Sequence, residues 1–157
     1  MSSLSISGSQ SSTTHRRKLR LLAVAGAALG TVAVWLVADK GFGVDLHQPG
    51  FGTSTPQALN PGFVAVVGAL AALLGWALLA LFERLSSRGS RRWLFVALAA
   101  LLVSLGGPLS GHGVSAGNRA ALVCMHLVAA AVVIPLLYRA PGPTDSRRKI
   151  DGDNERL

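Results

Sequence analysis

The chain has 157 residues, of which half are hydrophobic and only 14% are charged, and its formal net charge is +8. This balance is typical of a membrane protein and argues against a soluble globule, which needs more charged surface. Cys124 is the only cysteine, so an intramolecular disulfide is excluded. A basic chain can also bind nucleic acid, but no basic run is interleaved with aromatic side chains, so we expect no nucleic-acid partner.

The amino-terminal part combines a polar tail with a basic flank. Residues 1–15 are rich in Ser and Thr and poor in apolar side chains, which predicts a disordered tail. An uncharged run over residues 21–38 is the first predicted span. Twin arginines before an apolar run also occur in export signals, but no small-residue cleavage site follows here, so we expect an uncleaved helix. The basic flank consists of Arg16, Arg17, Lys18 and Arg20.

Three further apolar runs are long enough to cross about 30 Å of hydrocarbon at about 1.5 Å per residue. Between the first two spans, residues 39–60 are rich in Gly and Pro and form a loop expected to lie on the membrane or fold back over the helices. Residues 139–157 are predicted to be a charged, mobile tail. The predicted fold class is all-α, with four transmembrane helices in an up-down bundle over residues 16–138. The three further spans cover residues 61–82, 93–109 and 120–138.

Basic residues are distributed unevenly between the connections. Four lie before the first span, four in the central connection and five in the carboxyl-terminal tail, whereas only Lys40 and Arg119 lie in the other two connections. The positive-inside rule therefore predicts that both termini and the central connection are cytoplasmic, in the inner (plasma) membrane. The excess charge then sets topology or faces anionic lipid headgroups. The central arginines, within residues 83–92, are Arg84, Arg88, Arg91 and Arg92.

Small residues suggest where the helices approach each other. Gly26 and Gly30 are four apart in the first span, and Gly68 and Gly75 lie on one face of the second. Because lipid tails are as apolar as leucine, helices in a bilayer associate through such close contacts. We predict packing within one chain, while a face for a homo-oligomer or a larger membrane complex remains the alternative.

Aromatic side chains near the span ends are expected at the two membrane interfaces. Trp35 lies near one end of the first span, and Trp93 and Tyr138 lie at the cytoplasmic ends of the third and fourth. Trp76 lies further inside the second span. We expect it to pack between helices or to face lipid.

The predicted spans contain few polar side chains and no charged residue well inside. Ser104 and His126 lie on neighbouring antiparallel helices, both about 8 to 9 Å below the outer boundary, and form a candidate polar pair. A histidine inside a bilayer is a functional candidate, although a hydrogen bond to Ser104 or to a carbonyl is the simpler interpretation. Pro108 and Pro135 are expected to kink the same two helices. No residue is predicted as catalytic, or as a ligand of a metal or cofactor, because no nucleophile–base set, ligand spacing or phosphate-binding motif is present.

Several segments resemble one protein family. In these segments the chain is similar to the actinobacterial four-helix integral membrane proteins classed as domain of unknown function 6069, over about residues 16–138. The resemblance implies the four-helix fold and its topology, and it implies no activity. The segments are GWALLALFER at residues 75–84, RRWLFVALAALLVSLGGPLS at 91–110, HLVAAAVVIPLL at 126–137 and GVDL at 43–46.

The sequence favours a small integral membrane protein that is a non-catalytic accessory or structural component of the membrane. A small-solute transporter or channel component using His126 and Ser104 is the first alternative. An intramembrane enzyme has the least support, because it would need a third polar group beside these two.

Overall fold

The computed structural model describes residues 7–50, 55–86 and 88–139, with side chains from residue 15 onward. Within these ranges four helices have the length and hydropathy to span a membrane. The prediction of an all-α protein with four membrane-spanning helices is therefore confirmed. The α-helices are α1 (Ser7–Leu36), α2 (Pro61–Leu85), α3 (Gly89–Ser110) and α4 (Ala116–Tyr138).

The helices are arranged as a ring in chain order. Helix α1 packs against α2 and α4, and α3 packs against the same two helices from the other side. We call the end at which α1 begins and α2 meets α3 the terminal end, and the opposite end the hairpin end. Because consecutive helices are neighbours and run in opposite directions, the bundle is of the up-down type.

The glycines singled out in the sequence lie between helices of the same chain. A Cβ atom on Gly26 would lie 2.8 Å from Val132 Cγ1, and one on Gly30 would lie 2.9 Å from Val128 Cγ1. Both distances are shorter than a normal carbon–carbon contact, so α1 and α4 approach closely because these positions have no side chain. Gly75 also faces α4.

Gly68 makes the corresponding contact between α1 and α2. A Cβ atom there would lie 2.8 Å from Thr31 Oγ1 and 3.3 Å from the carbonyl oxygen of Ala27. The second neighbour is helix backbone, which cannot rotate away as a side chain can. Contact between α1 and α2 therefore depends on the missing side chain.

We expect Gly68→Ala to destabilise the bundle by about 1 to 3 kcal/mol, because the added methyl overpacks the α1–α2 contact. Thermal unfolding in detergent, followed by circular dichroism, measures the effect. Gly106→Ala is the matched control, since a Cβ atom on Gly106 meets nothing within 4 Å. That variant should be neutral or slightly more stable, because Ala is the better helix former. Equal losses in both variants would contradict the packing described for Gly68.

The helices extend beyond the predicted spans. Residues 7–15 belong to α1, so the prediction of a disordered tail is wrong for that part. Each residue added to an existing helix gains a backbone hydrogen bond. Polar residues gain this bond as apolar residues do, so α1 can continue into the Ser/Thr-rich segment. Residues 1–6 and the predicted tail from residue 140 onward lie outside the described residues. The central connection shortens to residues 86–88 because α2 ends at Leu85 and α3 begins at Gly89.

The long loop between α1 and α2 folds back over the helices at the hairpin end. After a π-helical turn (Val37–Gly41), strand β1 (His47–Gln48) pairs antiparallel with β2 (Gln57–Ala58). Gly50 forms a further bridge with His112 in the connection between α3 and α4. The two connections therefore form one cap on the bundle.

The described residues form two separate apolar cores. The hairpin-end core includes Leu46 of the loop, packed with Val64, Leu122 and Met125. The terminal-end core consists of buried Ala23, Leu79, Trp93 and Leu137. The protein is thus packed at both ends by different sets of side chains.

Trp93 differs from its prediction. It was expected at the membrane interface, but it is 1% exposed, and its indole Nε1 donates a hydrogen bond of 2.9 Å to the carbonyl of Gly75. Since α3 begins at Gly89 instead of at Trp93, the tryptophan lies one turn inside the helix and reaches the core. Trp35 also bonds within the protein, donating from Nε1 to the carbonyl of Leu59 at 3.0 Å.

Candidate functional site

A cavity of about 350 Å³ lies in the hairpin half of the bundle, with residues of all four helices and of the long loop in its lining. On α2 the lining extends from Phe63 to Ala71, and the loop contributes Gln48, Pro49 and Leu59. The terminal-end core begins about one turn further along α2, at Gly75, whose carbonyl accepts the bond from Trp93. The cavity therefore borders the hairpin-end core, whose Val64, Leu122 and Met125 belong to its lining, and the terminal-end core lies beyond it.

The amino acids of α3 explain why this space is not filled. In the terminal half, α3 contributes the large side chain of Trp93 to the core. In the hairpin half, α3 presents only Ser104, Gly107 and Pro108 to the cavity. These residues carry too little side-chain volume to reach α2 and α4, so the cavity follows from the sequence of α3.

Ser104 and His126 both line the cavity, yet no hydrogen bond joins them in the described part of the chain. The Ser104 hydroxyl donates to the carbonyl of Leu101 in its own helix, at 2.7 Å. Thr31, also in the lining, donates to the carbonyl of Ala27 at 2.9 Å. Both hydroxyl hydrogens are thus used within their own helices, as is common for Ser and Thr in apolar surroundings.

The His126 ring is oriented by a hydrogen bond within α4. Its Nδ1 lies 2.7 Å from the carbonyl oxygen of Leu122. A carbonyl oxygen only accepts, so the proton must be on Nδ1. In a neutral imidazole with this tautomer, Nε2 is a hydrogen-bond acceptor. In the predicted polar pair, the hydroxyl hydrogen of Ser104 is therefore already donated to a helix carbonyl. His126 has one acceptor atom, Nε2, and lines the apolar cavity.

The prolines and the cysteine take different positions around this region. Pro108 lies inside α3, is buried and lines the cavity, whereas Pro135 lies inside α4 and is exposed. Cys124 is also exposed, so it does not share the site of His126. Among the described residues no group of three or more His, Cys, Asp or Glu side chains could hold a metal ion.

A second polar site lies at the terminal end, where Arg20 and Glu83 form an ion pair of 3.1 Å. Their side chains are only 16% and 10% exposed, and the guanidinium carbon of Arg20 lies 5.7 Å from the ring centre of Trp76. Arg20 Nε and Glu83 Oε1 have no hydrogen-bond partner among the described residues. Arg20 therefore ties α1 to α2, in addition to its predicted role in topology.

The sequence carried a signal for this pair. Arg20 is the last basic residue before the first apolar run, and Glu83 is the acidic residue that ends the second. Antiparallel spans bring such positions to the same depth. The remaining predicted topology residues lie at the terminal end and, apart from half-buried Arg16, are exposed: Arg17, Lys18, Arg84, Arg88, Arg91 and Arg92.

Asn118 is a structural residue that sequence reasoning missed. It is 1% exposed, and its side chain accepts from the backbone N–H of His47 and donates to the carbonyl of His47, both at 2.9 Å. The amide thus binds β1 as a neighbouring strand would. Arg119 beside it donates to the carbonyls of Leu109 and Gly111, which satisfies the carboxyl end of α3.

We expect Asn118→Leu to release the long loop from the helices at a cost of about 1 to 3 kcal/mol, because the backbone groups of His47 lose their partners. Hydrogen exchange of the loop amides, read by mass spectrometry in detergent, should become faster in residues 44–50. Gln57→Ala, on the exposed strand β2, is the control and should leave exchange unchanged. Equal protection in both variants would show that Asn118 does not fasten the loop.

The comparisons with known proteins agree with this architecture and add no activity. No curated protein and no solved structure matches the chain. One family model matches residues 11–142, which include all the described residues from the basic flank to the end of α4. The chain therefore belongs to the family of unknown function DUF6069.

Proposed function

We propose that this multi-pass membrane protein is a non-catalytic component of the cytoplasmic membrane that acts by holding a mainly apolar molecule in its cavity. The observation that supports the proposal is the cavity itself, which is lined almost entirely by apolar groups. Sites for small molecules are typically concave and apolar, with a few placed polar groups. Here the polar groups of the lining are Thr31, Gln48, Ser104 and His126.

The hydrogen bonds of the site support a non-catalytic role. A serine nucleophile needs a base within hydrogen-bond reach of its hydroxyl. The Ser104 hydroxyl instead donates to Leu101, and the proton-bearing nitrogen of His126 bonds to Leu122. Neither side chain activates the other in this arrangement.

We further propose that both termini and the connection at residues 86–88 are cytoplasmic. Basic side chains are concentrated at the terminal end, which the positive-inside rule places in the cytoplasm. At the hairpin end, Lys40 forms an ion pair of 2.8 Å with Asp39, and Arg119 is engaged with carbonyl groups. In this orientation the cavity lies in the outer half of the membrane. An actinobacterial source is proposed on the sequence resemblance alone.

An accessory role implies a protein partner or a second copy of the chain. Gly26, Gly30, Gly68 and Gly75 are already used in packing within one chain. A partner would therefore contact the exposed apolar faces, on which Phe95 and Val103 of α3 are 68% and 79% exposed. Co-purification from mild detergent should yield a stable complex, and a strictly monomeric particle would argue against this part of the proposal.

Native mass spectrometry of protein released from membrane nanodiscs tests the binding role. We expect a stoichiometric apolar molecule to remain bound to the native chain and to be lost from the double variant Ala71→Leu, Ala129→Leu, which fills the cavity. The double variant Ala77→Leu, Ala131→Leu is the control, because these exposed residues on the same two helices are outside the lining. Identical bound species in both variants would contradict the proposal.

Transport of a small solute is the second candidate, favoured by the position of Ser104 and His126 on one cavity. The terminal-end core, with Leu79, Trp93 and Leu137 each no more than 1% exposed, separates that cavity from the other end of the bundle. A transporter would have to open this core. Flux measurements in liposomes with His126→Ala test the idea, and unchanged flux of every solute would remove its best-placed residue.

A further inference from the structure

We infer that the cavity selects an uncharged amphiphile that carries a hydroxyl group, bound by donation of that hydroxyl to Nε2 of His126. The inference rests on the proposed function, because it names the class of molecule that the same cavity would hold. It follows from the hydrogen-bonding state of each polar group in the lining.

Apolar burial alone cannot decide what enters a cavity inside a bilayer. A hydrocarbon chain leaves lipid tails and enters a lining that is equally apolar, so little free energy separates the two environments. Shape and polar contacts must therefore distinguish a ligand from the surrounding lipid. The polar side chains in the described lining are those of Thr31, Gln48, Ser104 and His126.

The lining provides an acceptor and few donors. The hydroxyl hydrogens of Thr31 and Ser104 are donated to helix carbonyls at 2.9 Å and 2.7 Å. The proton of His126 is on Nδ1 and is donated to Leu122 at 2.7 Å. The acceptors that remain for a ligand's donor are then the Nε2 lone pair and the lone pairs of the two hydroxyl oxygens, and the imidazole nitrogen is the most basic of these atoms.

This pattern distinguishes between classes of amphiphile. Among the described residues no Asp, Glu, Lys or Arg lines the cavity, so an ammonium, carboxylate or phosphate group would meet no counter-charge from them, at high cost in an apolar site. An amide brings a carbonyl in addition to its N–H, and in the described part of the lining only Gln48 of the loop carries a side-chain amide to donate to it. An alcohol or phenol brings one donor, which matches Nε2.

The size of the cavity narrows the class further. At about 350 Å³ it lies at the lower end of the range of about 300 to 1,000 Å³ that is typical of small-molecule sites. A single chain or a small ring system fits this volume, whereas a complete two-chain phospholipid does not. We therefore expect a single-chain or ring-containing alcohol.

The test uses the complete protein with ¹⁵N-labelled histidine, titrated in nanodiscs with decan-1-ol and with 1-methoxydecane, its methyl ether. The alcohol donates a hydrogen bond and the ether cannot. We expect decan-1-ol to shift the Nε2 resonance of His126 and to bind about fivefold more tightly than the ether, a ratio that corresponds to about 1 kcal/mol. His126→Phe should remove this preference, and His15→Gln, at the exposed terminal end, should retain it.

The outcomes separate the inference from the proposed function. If both probes bind equally and filling of the cavity by Ala71→Leu, Ala129→Leu displaces both, the binding role stands and the hydroxyl preference is wrong. A protonated Nε2 in the unliganded protein would also overturn the inference, since the acceptor would be absent. If neither probe binds and native mass spectrometry detects no retained molecule, both proposals fail.

Discussion

Trp93→Ala is expected to lower the free energy of unfolding by about 3 to 5 kcal/mol, the range for removing a large aromatic side chain from a packed core. Trp93 is 1% exposed and packs with Leu79 and Leu137 where α2, α3 and α4 meet. Its removal leaves a cavity and deprives the carbonyl of Gly75 of the indole donor. Unfolding in mixed micelles with increasing denaturing detergent, followed by circular dichroism, measures the loss.

Two further variants separate packing from hydrogen bonding at this position. Trp93→Phe keeps much of the ring volume but removes the indole N–H, so it should cost less than Trp93→Ala and retain a loss of about 1 kcal/mol from the bond. Phe95→Ala, on the same helix but 68% exposed, should change stability by less than about 0.5 kcal/mol. If Phe95→Ala is as damaging as Trp93→Ala, the terminal-end core is described incorrectly.

Glu83→Ala is expected to cost about 3 kcal/mol, because it leaves the Arg20 guanidinium mostly buried without its counter-charge. The two side chains are 16% and 10% exposed, so water screens the remaining charge only weakly. The pair joins α1 to α2, which are separated by the long loop in the chain. Its loss should therefore loosen the terminal end and leave the cap at the hairpin end intact.

A double-mutant cycle isolates the pair. Replacing both residues by leucine should cost less than either single change, because no unpaired charge remains in the bundle. Arg84→Gln is the control, since Arg84 neighbours Glu83 and is exposed. Thermal unfolding in detergent provides the stabilities. If the stability lost in the double variant equals the sum of the losses in the two single variants, Arg20 and Glu83 do not interact in the folded protein.

The sequence predicted the number and approximate position of the helices because bilayer thickness sets how long an apolar run must be. It also indicated the glycines that lie between helices, since only small residues allow close approach. The positions of the helix ends were predicted less accurately. The start of α3 lies four residues earlier than predicted, and that difference moves Trp93 from the interface into the core.

Side-chain partners were harder to predict than helices. The bonds of Asn118 to His47 connect residues 71 apart in the chain and depend on how the loop folds over α4. Ser104 and His126 line the same cavity, but whether such groups bond across helices or to their own carbonyls depends on helix separation. The small residues of α3 do not fill the space between α3 and α4. A cavity therefore lies where a contact between Ser104 and His126 was predicted.

The two halves of the bundle therefore differ in how completely their interior is packed. The terminal half is filled by Trp93 and closed by the ion pair of Arg20 with Glu83. In the hairpin half, the cap of the long loop lies over a cavity with one histidine acceptor. The first half is suited to fixing the helices in the membrane, and the second half is suited to binding.

The proposed function depends most on the orientation of these halves, for which we propose that the cavity lies in the outer half of the cytoplasmic membrane. Thiol labelling in intact cells tests it directly, in a Cys124→Ser background that removes the only cysteine. With a membrane-impermeant maleimide, Thr55→Cys in the exposed loop should be labelled in intact cells. Arg88→Cys, in the connection between α2 and α3, should be labelled only after permeabilisation. Labelling of Arg88→Cys in intact cells, with Thr55→Cys protected, would invert the bundle and contradict the account.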